Sequence, residues 1–366
     1  VTRAVAAVLD ALGGDRTSAR VVRAPGRVNL IGDHTDYTGG FCLPVAIDRA
    51  CLVAVRTTDA PGLDARSLDV DGTVSWSGRP PEPNTVEPAW GRFVAAAAAH
   101  GAPGAGVELV VSSSVPAGAG LASSAALCTA LVLALAAPPP TGQALATAAR
   151  AVEVAATGVP VGLMDQLASV FGEADAALLL DCRANTVEPV PLPPGLAISA
   201  VHTGVPRTLA GSAYAERRAG CEAAARRLGL SSLRDARLDQ VADDPLARHV
   251  VSENARVLEA VAALRADDTD RLGRLLAASQ ASLRDDFRVS TPELDALVDA
   301  LLEAGAVGAR LTGAGFGGCV VALARVDEAP AVLARAVGRY EARTGRRAQA
   351  FPVRATSGAG PVTDYS

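Results

Sequence analysis

Apolar residues follow two rhythms along the chain. Short apolar runs bounded by polar or turn residues occupy 50–56, 107–112, 176–181 and 197–202, the length and texture of β-strands. Helical spacing separates several of them, so the first half predicts mixed α and β structure. From 211 to 304, Arg, Asp and Glu recur among Ala and Leu in a helical rhythm, and strands return at 307–311, 319–324 and 348–353. The most apolar stretch, 121–137, is interrupted by Ser123, Ser124 and Thr129, and predicts a buried helix rather than a membrane span. At 187–195, VEPVPLPPG concentrates proline between two apolar runs and predicts a linker. The expected organisation is two α+β halves, 1–190 and 191–366. SGRPPEPNTVEP at 77–88 predicts an exposed loop.

Composition narrows the function classes. A chain of 366 residues can bury a substantial core, in one to three domains of roughly 150 residues each. With 39 acidic and 34 basic residues it carries a net charge of −5, too little positive field for a dedicated nucleic-acid binder. Every basic side chain is Arg, so a phosphate site here works without the P-loop lysine. The six cysteines form no C-x-x-C pair, which disfavours a zinc site or disulfide framework and fits a reducing cytoplasm. VTRAVAAVLDALGG reads as a short amphipathic helix ended by Asp10 and a glycine pair, without the features of a secretory signal. The expectation is a cytoplasmic protein with no membrane partner.

Four clusters carry candidate chemistry. In RAPGRVNLIGDHTDYTGGFCLPVAID, apolar runs bracket a dense polar knot of Asp33, His34, Asp36 and Tyr37. Three readings are open: an Asx-type turn, a metal site, or recognition of a polyhydroxylated substrate through carboxylates that accept from adjacent hydroxyls. SSSVPAGAGLASSAAL, 112–127, runs a glycine-containing turn into a long apolar helix. A helix N-terminus offers unpaired N–H groups to phosphate, and Ser123 or Ser124 could reach a magnesium ion; ordinary capping and close packing is the alternative. RLTGAGFGGCV, 310–320, contains G-x-G-x-x-G, but an apolar strand-like run follows where a dinucleotide fingerprint needs a helix, so a glycine loop between strands is expected. In GVPVGLMDQLASVFG, Asp165 lies in an apolar segment and needs a partner, for which Arg27 is a candidate. It is either half of a structural pair or a base for a hydroxyl proton.

Taken together and in this order, GRVNLIGDHTDY, PAGAGLASSAA, GVPVGLMDQ and LTGAGFGGC resemble the motifs of the GHMP small-molecule kinases, with further similarity in SAYAERRAGCEAA and SLRDDFRVSTPELDAL. The resemblance implies a two-domain α+β fold whose N- and C-terminal domains form a cleft holding a sugar and Mg·ATP. It implies phosphoryl transfer from ATP to the anomeric hydroxyl of a hexose, galactose first, with another sugar such as N-acetylgalactosamine or a sensor without turnover as alternatives. By similarity Asp165 is the catalytic base, Arg27 stabilises the reacting charge, and Asp33, His34, Asp36, Gly162 and Tyr214 contact the sugar. The nucleotide is expected on Gly118, Gly120, Leu121, Ala122, Ser123 and Ser124, with Gly313, Gly315 and Gly317 beside it, and magnesium on Ser123, Ser124 and Glu153. Phosphoryl transfer needs positioning and charge neutralisation more than covalent help, and these groups supply both without lysine. One departure stands out. Asp33 occupies a position where the sugar 1-kinases of the family usually carry Glu, which shortens its reach by roughly 1 Å and leaves room for a bulkier sugar. The expected assembly is a monomer, at most a weak dimer.

Overall fold

The strands of the first half bear apolar side chains on both faces, and helices cover both. In the computed structural model, which describes residues 2–101, 106–206 and 210–363, β1 (Arg20–Asn29) lies antiparallel to β3 (Pro44–Thr58), with Val21 opposite Ala54 and Val22 opposite Val53. Together with β4 (Leu63–Ser67), β5 (Thr73–Trp76), β6 (Gly106–Ser113) and β13 (Gly360–Pro361) they form a six-stranded sheet in the order β13-β1-β3-β6-β4-β5. Because successive residues of a strand face opposite sides, Val21, Leu52, Ala54 and Val110 meet Val5, Val8, Leu9 and Leu12 of α1 (Thr2–Leu12). Val22, Val53, Leu109 and Val111 enter the main core on the other side. There lie α2 (Gly91–Gly101), α3 (Ser123–Leu135), α4 (Gly142–Thr157) and α5 (Met164–Phe171). The apolar run at 121–137 is α3, buried almost all round.

A small sheet joins β2 (Phe41–Cys42), β7 (Ala176–Asp181) and β8 (Thr186–Pro191). Here the sequence expectation is corrected: most of the proline-rich segment 187–195 is strand, not linker. β8 pairs with β7 alone, and an edge strand accepts proline because half of its N–H groups face no partner. Val190, fully buried, anchors it.

The second half is built on β10-β11-β9-β12, an antiparallel sheet of β9 (Leu196–His202), β10 (Gly308–Leu311), β11 (Cys319–Arg325) and β12 (Gln349–Val353). These four strands begin and end within a residue or so of their predicted bounds. The helical stretch resolves into α6 (Ala210–Arg227), α7 (Pro245–Arg265), α8 (Thr269–Asp285) and α9 (Pro292–Glu303), and α10 (Ala329–Thr344) follows β11. Val320 and Ala322 face α9 and α10, whereas Val321 and Leu323 face the large core shared with the first half. After β12 the chain returns: Thr356 donates to Ala46 O at 3.1 Å, Gly358 to Gly172 O at 2.7 Å, and β13 pairs with β1. The last strand therefore belongs to the first sheet.

Candidate active site

The four clusters meet around one cavity of about 410 Å³. Arg27 reaches it from the end of β1, Asp33, His34 and Asp36 from the following loop, and Gly118, Gly120, Ala122, Ser123 and Ser124 from the turn into α3. Glu153 comes from α4, Gly162 and Asp165 from the start of α5 and the loop before it, Tyr214 from α6, and Gly313 from the loop between β10 and β11. Three expected nucleotide contacts stand off the lining. Leu121 is fully buried, its carbonyl accepting from Arg27 N at 3.1 Å, while Gly315 packs against Val289 and Gly317 lies further along the loop.

The centre of the cavity is an ion pair. Arg27, 5% exposed, places one terminal nitrogen 2.8 Å from Asp165 Oδ1, and donates from the other to Gly120 O at 2.6 Å. One guanidinium thus joins the acidic residue of α5 to the glycine turn. That turn opens α3 in an unusual way: Ala122 is left-handed (φ 59°) and no side chain caps the helix, so the N–H groups of the first turn are left for a ligand. Glu153 lies beside it, buried, with Ser124 Oγ donating to Oε1 and Gln166 Nε2 to Oε2, each at 2.5 Å. Burial pushes the Glu153 carboxyl up to about 7, against the pull of the Ser124 hydrogen bond.

The polar knot forms the other wall. His34, left-handed at φ 64°, places Nε2 3.2 Å from Ala314 O and Nδ1 3.0 Å from the Tyr37 hydroxyl. A carbonyl only accepts, so Nε2 carries a proton, and in the neutral ring Nδ1 accepts from Tyr37. Tyr214 stands 5.7 Å from the His34 ring and 5.4 Å, edge to face, from Tyr37. Asp36 is pushed up to about 6 by burial and then by the neighbouring Asp165 carboxylate. Its carboxyl fills the space where a side chain at position 162 would begin, which is why that position is Gly. Asp33 is 1% exposed; Arg310 pairs with its Oδ2, and Gly313 N donates to Oδ1 at 3.1 Å. Burial raises its carboxyl pKa, opposed by Arg310 and Arg27.

Three known-family profiles match the chain: "Galactokinase galactose-binding signature" over residues 11–57, "GHMP kinases N terminal domain" over 84–173 and "GHMP kinases C terminal" over 260–342. The galactokinase of Roseiflexus sp. is 44% identical across 94% of this chain and 93% of its own length; that of Chloroflexus aurantiacus is 43% identical across 95% and 94%. The chain belongs to the galactokinase family. In structure, Lactococcus lactis galactokinase, solved in complex with galactose, matches with a TM-score of 0.90 at 31% identity, over 98% of this chain and 99% of that one. The mevalonate kinase of Methanococcus jannaschii, with a TM-score of 0.70 at 18% identity over 94% and 100%, shares the fold. As a galactokinase-family member the chain is a sugar kinase, a phosphotransferase with an alcohol acceptor, in the two-domain α+β fold its motifs imply.

The galactokinase signature span contains the whole loop that bears Asp33, His34 and Asp36. Several residues that hold this loop escape a reading of the motifs. His249 Nε2 lies 3.2 Å from Asp33 O, Glu253 accepts from Gly32 N at 3.0 Å, and Asn254 accepts from Phe41 N at 2.8 Å. All three lie on α7, far away in sequence. Their one signal is spacing: polar residues at i, i+4 and i+5 of HVVSENARV, on a face whose neighbours Val250 and Val257 are buried. Arg310, on Asp33, and Gln166, on Glu153, carry no such signal in the sequence.

Proposed function

We propose that this galactokinase-family chain transfers the γ-phosphoryl group of ATP to the anomeric hydroxyl of galactose, yielding ADP and galactose 1-phosphate. The observation that carries the reading is the Arg27–Asp165 pair, 2.8 Å apart, at the seam between the polar wall of Asp33, His34 and Asp36 and the uncapped start of α3. Asp165 stays 31% exposed, open enough to receive or orient the proton of a bound sugar hydroxyl. Arg27 holds the carboxylate to the nucleotide turn and keeps positive charge beside the transferring group. Asp36, Gly162 and Tyr214 with the His34 wall form the sugar side, whereas Gly118, Gly120, Ser123 and Gly313 form the phosphate side.

Ser124 and Glu153 fit a magnesium ion. Both are hard oxygen donors, Glu153 lies buried facing the cavity, and the Gln166 Oε1 next to it has no hydrogen-bond partner. Magnesium takes one or two carboxylates when phosphates complete its shell. Among the described residues no group of three or more His, Cys, Asp or Glu stands ready to hold a metal by itself, so the nucleotide's oxygens would complete the site. When bound, the ion would neutralise charge on the phosphates. Gln166 fixes the carboxylate's orientation from behind.

The same reading has the enzyme act on free sugar and Mg·ATP as a cytoplasmic monomer, its two lobes dividing near residue 190. The wide spacing of the six cysteines, with no C-x-x-C pair, fits a reducing compartment. No helix of the described residues is long and apolar enough to cross a membrane. The test is a panel of hexoses, amino sugars and deoxy sugars with ATP and Mg²⁺, following ADP release, product mass and the hydroxyl phosphorylated. Galactose should give the highest kcat/KM and a 1-phosphate; a clear preference for another sugar, or no ADP release with any, overturns the reading.

A further inference from the structure

Among the described residues Arg310 is the largest fully buried side chain, and it does not line the cavity. It leaves β10, in the second half, and crosses to the end of β1. One terminal nitrogen donates to Leu30 O at 3.0 Å and more weakly to Asn29 O at 3.4 Å; the other pairs with Asp33 Oδ2. The other Asp33 oxygen accepts from Gly313 N, three residues further along the same segment, and the Asp33 carbonyl faces His249 Nε2 at 3.2 Å. Asp33 is therefore held from three sides by the second half of the chain, and the side that remains faces the cavity.

We propose that Arg310 is a positioning residue for galactose recognition, acting through Asp33. The argument rests on the sugar-kinase reading above and on the cost of burial. A carboxylate with 1% exposure is not tolerated alone in a protein interior. Asp has two side-chain torsions, and Arg310 on one oxygen together with Gly313 N on the other fixes both, so the carboxylate plane, and with it the lone pairs facing the cavity, depends on the guanidinium. Arg310 also grips the carbonyls of Asn29 and Leu30, where β1 passes into the loop, so the loop and its acid move as one body. Lys would supply charge and three donors, but from one compact nitrogen without the planar fork that reaches Asp33 and the two carbonyls together.

A double-mutant cycle on the intact chain tests this, using Arg310→Met, Arg310→Lys, Asp33→Asn and the pair Arg310→Met with Asp33→Asn, each with KM for galactose, KM for ATP, kcat and thermal midpoint. Arg310→Met should raise KM for galactose about 10- to 100-fold, the weight of a charge-assisted hydrogen bond lost from the sugar wall, and leave KM for ATP within about twofold. Arg310→Lys should recover part of that loss. In the Asp33→Asn background, removing Arg310 should raise KM for galactose by a factor about tenfold smaller than in the wild type, the remainder reflecting its hold on the Asn29 and Leu30 carbonyls; if either single variant fails to fold because one charge of the pair is left buried alone, Arg310→Lys, which keeps the charge, carries the KM comparison. Equal losses for ATP and galactose, an unchanged galactose KM in folded Arg310→Met, or additive effects in the cycle would overturn the proposal. The wild-type arm separates the two readings: turnover of galactose with a failed cycle sinks Arg310 alone, and no turnover of galactose sinks both.

Discussion

Gly162 offers the sharpest test of the sugar wall, because a side chain there meets Asp36 before anything else. Its φ lies outside the left-handed region, so alanine there meets no backbone strain. A Cβ at this position would instead lie against the Asp36 carboxylate, overlapping Oδ2 and standing 2.5 Å from Cγ, where ordinary contacts begin near 3.4 Å. Relieving the Cγ contact alone takes about 0.9 Å and relieving the Oδ2 overlap takes more, so Asp36 must retreat further than that or turn away. Displacements of this size at a reacting or recognition group cost up to about 100-fold, while forced overpacking costs about 1–3 kcal/mol of stability. Gly162→Ala should accordingly raise KM for galactose by about 10- to 100-fold, leave KM for ATP nearly unchanged, and lower the thermal midpoint by only a few degrees. Steady-state kinetics with each substrate varied, beside a melting curve, read all three. A folded Gly162→Ala protein with wild-type galactose kinetics would show that Asp36 does not contact the sugar from where the structure places it.

Asp165→Asn should lower kcat by about 100- to 10,000-fold while galactose binding by calorimetry persists, and retention of near wild-type kcat would remove Asp165 as the base. Glu153→Gln keeps the shape of the Ser124 and Gln166 contacts but removes the charge; the Mg²⁺ concentration for half-maximal rate should rise about 10-fold or more, and an unchanged magnesium titration would contradict Glu153 as its ligand. The Asp36 carboxyl, pushed up to about 6, takes up a proton as pH falls through that value and loses an acceptor for sugar hydroxyls. With Mg²⁺ saturating, kcat/KM for galactose should be full above about pH 7 and decline below about 6, and a profile flat down to pH 5 would count against an ionised Asp36 in recognition.

Much of the site was legible in the chain because its chemistry is local. The apolar run after the glycine loop at 313–318 marks it as a connection between two strands, and β10 and β11 flank it. Asp165 in an apolar segment called for a partner on grounds of burial cost alone, and Arg27 is that partner. Length and apolar texture mark strands at 176–181 and 319–324, and these are β7 and, one residue longer, β11.

What stayed hidden depends on which surfaces meet. Residues 187–191 carry prolines that read as a linker until β7 is seen to need an edge partner. His249, Glu253 and Arg310 look like the charges of any amphipathic element; only the approach of α7 and β10 to the loop at 32–41 turns them into its supports. Residue types, spacing and hydropathy settle local conformation and the kinds of chemistry a chain can attempt, since those forces act over a few positions. Which carboxylate is buried, what pairs with it and where an added methyl group would collide depend on contacts between segments hundreds of residues apart, and those exist only once the two halves have closed on each other.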